Sequence, residues 1–284
     1  MANNHLHINK LLITGATGSA GEKLLRYYLS IFSEKQQIIV FSRDEHKQYL
    51  LKQSLNELEK SKVRFVLGDV RDIEQLKRTF RGVDVVIHAA VLKHVDIGEE
   101  NPLEYIKTNV LGTQNVIDAC YDMGVKKLIS LSTDKAVKPI NLYGASKLCA
   151  EKLITASAKN NPSLTSMNII RFGNIYGSRG SVVPLFESLK NEGVIPITHP
   201  EMERYFVEYQ EVISIIDEVL HRDFQGKIFV PKLKSTKITD LASQIAPNCK
   251  QEIIGIREGE KLKEELLSEE ELANAQEFDG YYLL

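Results

Sequence analysis

Four side chains that can move protons lie close together in the segment LISLSTDKAVKPINLYGASK, residues 128–147. Asp134 and Lys135 are adjacent after an apolar run, and Tyr143 and Lys147 follow with YxxxK spacing. On a helix, the phenol and the amine of YxxxK project from one face, one turn apart. A cation beside a phenol favours phenolate and lowers its pKa, which suits proton removal from a carbinol during hydride transfer.

The significance of these residues depends on the elements that carry them, because YxxxK occurs often by chance and an exposed Asp–Lys turn contributes little. Over the first two thirds of the chain, β-branched runs alternate with amphipathic segments, as in a parallel sheet covered by helices. We predict strands at 10–14, 38–42, 63–67, 84–89, 127–132 and 168–172. We predict helices at 20–32, 44–60, 72–80, 102–123 and 143–160. The Asp–Lys pair then follows the fifth strand, at the edge where open α/β sheets bind ligands.

The predicted fold class is therefore α/β, a Rossmann-like, doubly wound parallel sheet with a smaller C-terminal lobe. The regular alternation stops near residue 176, and shorter motifs separated by Gly and Pro follow. We predict that residues 1–176 form a dinucleotide-binding domain with the catalytic residues. Residues 177–284 are predicted to form a mainly substrate-binding lobe that is interleaved with the first.

Composition excludes several other classes of protein. The 284 residues contain 36 basic and 38 acidic side chains in no long block of one sign, which argues against a nucleic-acid partner. No apolar run approaches the roughly 20 residues that span a bilayer, and the N-terminus has no signal core, so we expect a cytoplasmic protein without membrane contact. The three cysteines and seven histidines are scattered, His5 and His7 included, and we assign no metal site.

A glycine-rich turn follows the first predicted strand. The sequence TGATGSAG places Gly15, Gly18 and Gly21 in a GxxGxxG spacing, with Thr17 and Ser19 between them. Glycine permits a sharp turn and lets a pyrophosphate approach the helix N-terminus, whose N–H groups favour an anion. A glycine-rich turn alone is often only a turn, but between a strand and a helix it predicts dinucleotide binding.

The end of the second strand indicates which dinucleotide binds. Ser42 and Arg43 stand where an acidic residue would contact the ribose of NAD, and a hydroxyl beside a guanidinium suits a 2′-phosphate. We therefore predict NADP rather than NAD, although Arg43 could instead pair with Asp44 at the surface. Asp69 and Val70, after the third strand, are candidate adenine contacts, and Asp69 could equally be a turn residue or helix cap.

The motifs resemble those of extended short-chain dehydrogenases/reductases, and longer blocks resemble one branch of them. HAAVLKHV, NPLEYIKTNVLGTQNVIDAC, LSTDKAVKPINLYGASKLCAEKL, RFGNIYGSRGSVVPLF and IIGIREGEKLKEEL are similar to successive blocks of inverting UDP-N-acetylglucosamine (UDP-GlcNAc) 4,6-dehydratases. These enzymes begin pathways to acetamido sugars. The chain resembles the short form of the family, without N-terminal spanning helices.

The resemblance implies a division of roles among the catalytic residues. Tyr143, assisted by Lys147, would oxidise C4 of the sugar, which makes the C5 proton acidic. Lys135 would remove that proton, and Asp134 would assist loss of the C6 hydroxyl as water. Thr133 would polarise the C4 oxygen. Lys135 must be neutral to act as a base, which partial burial and nearby positive charge favour, and reprotonation from the opposite face would invert C5.

The resemblance also implies ligand contacts, a tightly bound NADP that is recycled within each reaction, and a homo-oligomer. The further candidate cofactor contacts are Lys47, Ala89, Ala90, Lys93 and Ile175, besides Tyr143 and Lys147. The candidate contacts to the UDP-sugar are Lys93, Asn174, Ser181, Val182, Val183, Arg204, Arg257 and Glu260. The arginines could instead be structural members of ion pairs.

Related activities stay open at this point. The chain could act on the next sugar intermediate, release a 5,6-ene, or reduce or epimerise C4, although a simple 4-epimerase does not need the Asp134–Lys135 pair. A protein that binds NADP without catalysis is a further alternative, and the complete YxxxK argues against it.

Overall fold

The computed structural model describes residues 6–222 and 224–284, so His5 lies outside the described residues. Its main element is a nine-stranded sheet, whose strands are β1 (Lys10–Thr14), β2 (Gln37–Ser42), β3 (Val63–Leu67), β4 (Val85–His88), β5 (Lys127–Thr133), β6 (Ser166–Phe172), β10 (Ile228–Pro231), β13 (Gln276–Glu277) and β14 (Tyr281–Leu283). Their order in the sheet is β13-β14-β10-β6-β5-β4-β1-β2-β3. The shorter strands are β7 (Asn174–Ile175), β8 (Val194–Ile197), β9 (Glu203–Val207), β11 (Ser235–Lys237) and β12 (Lys250–Ile253).

Helices cover the large sheet and build the smaller C-terminal sheets into a lobe. The helices up to the catalytic segment are α1 (Ser19–Ile31), α2 (Glu45–Gln53), α3 (Glu57–Lys62), α4 (Ile73–Phe80), α5 (Val95–Glu100), α6 (Pro102–Tyr105), a π-helical segment (Ile106–Leu111) and α7 (Gly112–Met123). The later helices are α8 (Leu142–Asn160), α9 (Val182–Leu189), α10 (Tyr209–His221), α11 (Ile238–Ile245) and α12 (Glu269–Asn274). Among the described residues, no helix is both long and apolar enough to cross a bilayer.

The strand order confirms the predicted α/β class. Seven strands from β3 to β10 pair in parallel, β14 pairs antiparallel to β10, and β13 forms the edge antiparallel to β14. The chain runs outward from β1 through β2 and β3, then returns to β4 on the other side of β1. In such a sheet, ligands bind outside the carboxyl ends of the strands at the point where the order reverses. The fold therefore places a binding crevice at the ends of β1 and β4.

Two predicted helices differ from the structure in an informative way. The helix predicted at 44–60 is wrong as a single element, because Asn56 and Glu59 form a capping box that starts α3 after α2 has ended. The helix predicted at 102–123 begins with Pro102 and ends at Gly124, whose φ is 68°, but it contains the π-helical segment in its middle. π-helical turns of this kind are frequent at functional sites.

Residues after 176 contribute to both parts of the molecule. A small apolar core joins α9, α11, β8 and the residues around Met202. In contrast, α10 packs on the large sheet, and β10, β13 and β14 extend it. The division at residue 176 and the interleaving of the two parts stay predictions.

A buried ionic network ties the C-terminal segment to the centre of the sheet. Arg171 on β6 is 1% exposed and forms two hydrogen bonds to Glu151 on α8, at 3.0 and 2.7 Å. Its guanidinium also donates to both carboxylate oxygens of Glu271 on α12, at 2.8 and 2.9 Å. Ser132 on β5 donates to the same Glu151 at 2.6 Å. Removing one member of such a network leaves a buried charge without its partner.

Candidate active site

A cleft of about 1110 Å³ opens at the predicted crevice and extends between the sheet and the small lobe. At its floor the turn after β1 lies very close to the end of β4: a Cβ on Gly15 would stand 2.7 Å from the Cα of Ala90. A Cβ on Gly21 would stand 2.5 Å from the carbonyl oxygen of Gly15. Gly15 also has a φ of 66°, which side chains rarely adopt. The glycines therefore leave a backbone cradle at the N-terminus of α1, where phosphates bind.

The end of β2 forms one wall of the cleft. Ser42 is buried and its hydroxyl accepts a hydrogen bond from the Gln48 amide at 3.0 Å. Arg43 lines the cleft and is exposed, and within the described chain it forms no ion pair. Asp44 pairs with Lys47 instead, at 3.0 Å, while it caps α2 through the Lys47 N–H. The guanidinium of Arg43 is thus available to an anionic ligand rather than bound to Asp44.

Asp69 is held by Arg71 on the adjacent wall. The Arg71 guanidinium donates to Oδ2 of Asp69 at 2.7 and 3.0 Å, and the Arg71 N–H donates to Oδ1 at 3.0 Å. Although partial burial opposes it, this pairing keeps the pKa of Asp69 below its ordinary value. Asp69 is therefore an ionised acceptor at the cleft wall.

The catalytic turn follows β5 directly. Thr133, the last residue of β5, donates its hydroxyl to Oδ1 of Asp134 at 2.9 Å. Nζ of Lys135 donates to the same oxygen at 3.0 Å and to Oδ1 of Asn174 at 3.3 Å. Thr133 and Lys135 line the cleft, whereas Asp134 is fully buried behind them. Asp134 therefore reaches a ligand in the cleft only through these two neighbours.

Helix α8 presents the YxxxK pair to the same part of the cleft. Gly144 allows this approach, because a Cβ there would stand 2.1 Å from the carbonyl oxygen of Lys135. Burial is the largest influence on both functional side chains. It raises the pKa of Tyr143 well above its ordinary value, an effect that a hydrogen bond with Thr133 opposes and the charge of Asp134 reinforces. The expected lowering of the phenol pKa is therefore wrong for this structure, in which burial raises that pKa.

Burial also lowers the pKa of Lys147 to about 8, although Glu151, one helical turn further on, acts in the opposite direction. Nζ of Lys147 donates to the carbonyl oxygen of Leu131 at 2.8 Å. The ammonium is thus fixed against the end of β5, where it can donate to a ligand in the cleft.

The lowered pKa of Lys147 predicts a pH dependence of stability. Below pH 8 Lys147 is protonated in both the folded and the unfolded chain, so burying its charge lowers the free energy of unfolding by the full amount. Between pH 8 and 10.5 the unfolded chain binds more protons than the folded one, so stability increases with pH. Relative to Lys147→Met, wild-type protein without ligand should gain up to about 3 kcal/mol of unfolding free energy across this interval.

Urea denaturation at a series of pH values measures this difference. The matched control is Lys152→Met, which removes an exposed lysine from the same helix. It should follow the wild-type pH dependence throughout. A Lys147→Met curve that stays parallel to wild type from pH 8 to 10.5 would show that burial does not perturb this lysine.

Two loops meet above the glycine turn. Nζ of Lys93 donates to the carbonyl oxygen of Arg179 at 2.9 Å, and the Arg179 guanidinium reaches the carbonyl oxygen of Thr17. The Arg179 N–H also donates to the Ser19 hydroxyl at 3.0 Å. The segment GSRGS thereby bridges the cofactor side of the cleft and the small lobe.

The far end of the cleft is formed by the small lobe. Ser181 is the residue before α9, and the first turn of that helix faces the cleft through Val182. Val183 packs into the small apolar core and does not line the cleft. Arg204 is buried, with one guanidinium nitrogen donating to the carbonyl oxygen of Glu203 at 2.8 Å. The cleft therefore ends at a helix N-terminus and a buried guanidinium, both suited to phosphate.

Of the predicted site residues, all but Asp134 and Val183 line this one cleft. The cofactor candidates on its walls are Gly15, Thr17, Gly18, Ser19, Gly21, Ser42, Arg43, Lys47, Asp69, Val70, Ala89, Ala90, Lys93, Tyr143, Lys147 and Ile175. The substrate candidates on its walls are Lys93, Asn174, Ser181, Val182, Arg204, Arg257 and Glu260. Their individual roles stay predictions.

Sequence reasoning missed two residues that shape the catalytic turn. Gly144 lies inside YGASK, so the sequence shows that a glycine stands there. The sequence does not show that this glycine packs against Lys135. Glu264 is a buried carboxylate whose Oε1 lies 3.7 Å from Nζ of Lys135. In GEKLKEEL nothing distinguishes it from neighbouring glutamates, so only the fold identifies it.

The sheet order, the glycine cradle and the Tyr143–Lys147 pair at the end of β5 define the class of this protein as an extended short-chain dehydrogenase/reductase. Residues 11–284 match the family described as "Polysaccharide biosynthesis protein". The chain is 47% identical to the UDP-N-acetylglucosamine 4,6-dehydratase (inverting) of Campylobacter jejuni, over 96% of this chain and 82% of that one. It belongs to this family of nucleotide-sugar dehydratases.

Other relatives and structures have the same fold. The chain is 42% identical to the UDP-glucose 4-epimerase of Rickettsia conorii, over 96% of this chain and 81% of that one. The crystal structure of Pen from Bacillus thuringiensis superposes with a TM-score of 0.92 at 34% identity, covering 98% of this chain and 90% of the other. The dTDP-glucose 4,6-dehydratase DesIV of Streptomyces venezuelae, at 24% identity and a TM-score of 0.79 over 90% of this chain and 87% of the other, shares the fold.

Proposed function

We propose that this enzyme dehydrates UDP-GlcNAc across C5 and C6 with inversion at C5, giving UDP-2-acetamido-2,6-dideoxy-β-L-arabino-hexos-4-ulose. The observation that carries the proposal is the contact among Thr133, Asp134 and Lys135 beside Tyr143. Oxidation of C4 by hydride transfer needs only the Tyr143–Lys147 pair as its acid–base group. Removal of a C5 proton and departure of the C6 hydroxyl require a further base and a further acid. The catalytic turn supplies both at the same end of the cleft.

NADP is the proposed cofactor. The glycine cradle at Gly15 and Gly21 fits a pyrophosphate, and Arg43, unpaired within the described chain, lies beside Ser42 where a 2′-phosphate would be bound. Lys147 would hold the nicotinamide ribose. When bound, the cofactor accepts hydride from C4 of the sugar and returns it to C6, so the reaction needs no added reductant.

The side chains would move protons in a fixed order. Tyr143, whose phenol is neutral in the free cleft, would first release its proton, and the phenolate, stabilised by the ammonium of Lys147, would then take the proton of the C4 hydroxyl as C4 is oxidised. The proton on Nζ of Lys135 passes to Oδ1 of Asp134 along their 3.0 Å hydrogen bond, which converts the ion pair into a neutral amine and a carboxylic acid. In a buried site this transfer also removes two charges that burial disfavours.

The resulting pair contains the base and the acid that elimination needs. Nζ of Lys135 removes the C5 proton, and the C–O bond at C6 breaks. Because Asp134 is buried, its proton would reach the leaving hydroxyl through Oγ1 of Thr133, 2.9 Å away, and water departs. Once C6 carries the returned hydride, a proton derived from solvent would reach C5 from the face opposite Lys135 and give the inverted centre.

C4 epimerisation is the second candidate, because UDP-glucose 4-epimerases are among the relatives at 42% identity. A 4-epimerase needs the Tyr143–Lys147 pair but has no proton to remove at C5. The Lys135–Asp134 contact favours dehydration, while a related enzyme that stops at a 5,6-ene or acts on the next intermediate would use the same residues.

Proton NMR of the product formed from UDP-GlcNAc in D₂O tests the proposal. Purified protein without added reductant should form a 4-keto-6-deoxy sugar with solvent deuterium at C5 and inverted C5 configuration. Mass spectrometry of the released cofactor should identify NADP. UDP-GalNAc as product would establish epimerisation, and unchanged substrate after long incubation would contradict both activities.

We also propose a cytoplasmic homo-oligomer, on the strength of the resemblance and of the exposed apolar residues Leu103, Ile106 and Leu111 along one helical stretch. Light scattering after size exclusion measures the mass directly.

A further inference from the structure

Lys135 contacts two buried carboxylates rather than one. Asp134 belongs to its own turn, whereas Glu264 comes from the segment between β12 and α12 in the C-terminal part of the chain. The side chain of Glu264 is only 2% exposed, and its Oε1 lies 3.7 Å from Nζ of Lys135. Its other oxygen, Oε2, lies 3.7 Å from Nζ of Lys261. Lys135 and Lys261 therefore compete for one buried carboxylate.

The two carboxylates are incompletely satisfied. Oδ2 of Asp134 and Oε2 of Glu264 are buried, and neither has a hydrogen-bond partner among the described residues. An unsatisfied buried carboxylate oxygen costs free energy that a purely structural site would avoid. Such groups accumulate where a site must hold a proton in a particular place.

The segment that carries Glu264 is braced against the catalytic turn along its length. The Asn141 amide donates to the carbonyl oxygen of Gly259 at 2.8 Å, and Nζ of Lys261 donates to the carbonyl oxygen of Val137 at 2.7 Å. Further along, Glu265 pairs with Lys138 at 2.9 Å. These contacts hold Glu264 in register with Lys135.

We infer that Glu264 is a positioning residue that, together with Lys261, sets the proton occupancy of the Lys135–Asp134 pair. This inference rests on the proposed dehydration. A carboxylate 3.7 Å from the amine stabilises its protonated form, and Lys261 weakens that effect by pairing with the same carboxylate. The balance between them determines the pH range in which the pair holds the single proton that elimination requires.

The other groups near Lys135 are the same in wild type and in the two variants described below. Asp134 shares its proton, Asn174 accepts without charge, and Tyr143 is neutral in the resting cleft because burial raises its pKa. Lys93 is a further nearby cation, and its pKa is lowered first by burial and then by the charges of Lys135 and Arg179. Glu264 and Lys261 are therefore the pair whose removal changes the balance without removing the base or the acid.

The test compares pH profiles of C5 deuterium incorporation from UDP-GlcNAc. The Lys135–Asp134 pair is active with one proton and inactive with two protons or none. Activity should therefore fall at both low and high pH, which gives a bell-shaped profile. Glu264→Gln keeps the shape but removes a negative charge, so the whole bell should move about one pH unit lower. Lys261→Met removes the cation that also pairs with Glu264. The carboxylate then acts on Lys135 alone, so the bell should move to higher pH. Opposite displacements are not expected of residues that only support the fold.

Glu265→Gln is the matched control, since it makes the same charge change one residue further on, against Lys138. Its bell should coincide with wild type. Glu264→Asp should return the bell part of the way to the wild-type position, because the charge returns at a longer distance from Lys135. Unshifted bells for Glu264→Gln and Lys261→Met in a protein whose wild type is active would overturn the role of Glu264. No product from wild type would contradict the proposed function itself.

Discussion

Replacing Lys135 with arginine is expected to lower kcat for dehydration by about 10²- to 10⁴-fold, the usual contribution of a positioned acid or base. Arginine preserves the positive charge beside Asp134 and Glu264, but its guanidinium does not release a proton in proteins. The ion pairs of the catalytic turn should therefore persist while removal of the C5 proton stops. UDP and NADP should bind within about twofold of wild type.

The partial reactions make this prediction specific. Oxidation of C4 does not use Lys135, so the variant should accumulate reduced cofactor on mixing with UDP-GlcNAc and should incorporate no deuterium at C5. The matched control is Lys138→Arg, which changes the exposed lysine three positions later in the same loop. Deuterium incorporation by Lys135→Arg at the wild-type rate would reduce the Asp134–Lys135 contact to a structural ion pair.

Replacing Arg171 with methionine is expected to lower the free energy of unfolding by about 3–5 kcal/mol. The substitution leaves Glu151, buried on α8 against the sheet, without its cation and frees Glu271 from its partner. In a chain of this size the melting temperature should fall by roughly 10 °C. Arg222→Met is the control, because that arginine forms an exposed pair with Glu218 and should change stability by less than about 0.5 kcal/mol.

A double variant separates the loss of the contact from the burial of an unpaired charge. Arg171→Met with Glu151→Leu removes both members of the buried pair and should recover much of the lost stability. If the single and double variants melt at the same temperature, the penalty does not come from unpaired Glu151. Thermal denaturation monitored by circular dichroism is sufficient to measure all four proteins.

The sequence was informative wherever chemistry and periodicity are local. All six predicted strands exist within two residues of their predicted bounds. Buried parallel strands are visible in the sequence because they are short runs of β-branched and other apolar residues. The break between α2 and α3 was also present in the sequence, as Asn56 followed by Glu59, but the amphipathic pattern on both sides obscured it. The π-helical segment left no comparable pattern.

The C-terminal third was less predictable. Its short strands β7, β8, β9, β11 and β12 pair over two to four residues, and their partners lie far away in the chain. Short strands of this kind carry too few residues for a reliable period. The joining of β10 and β14 to the large sheet likewise depends on the packing of α10 against it, which no local pattern expresses.

The sequence by itself determined the fold class, the glycine turn, the YxxxK pair, the acidic and basic residues that follow β5, and the family. These features depend on residue type and short spacing, which folding does not alter. Only the tertiary structure decided that Asp134 is buried behind Thr133, that burial raises the pKa of Tyr143, and that Glu264 faces Lys135. Burial and contact between distant segments arise from packing of the whole chain, and they control where protons are held.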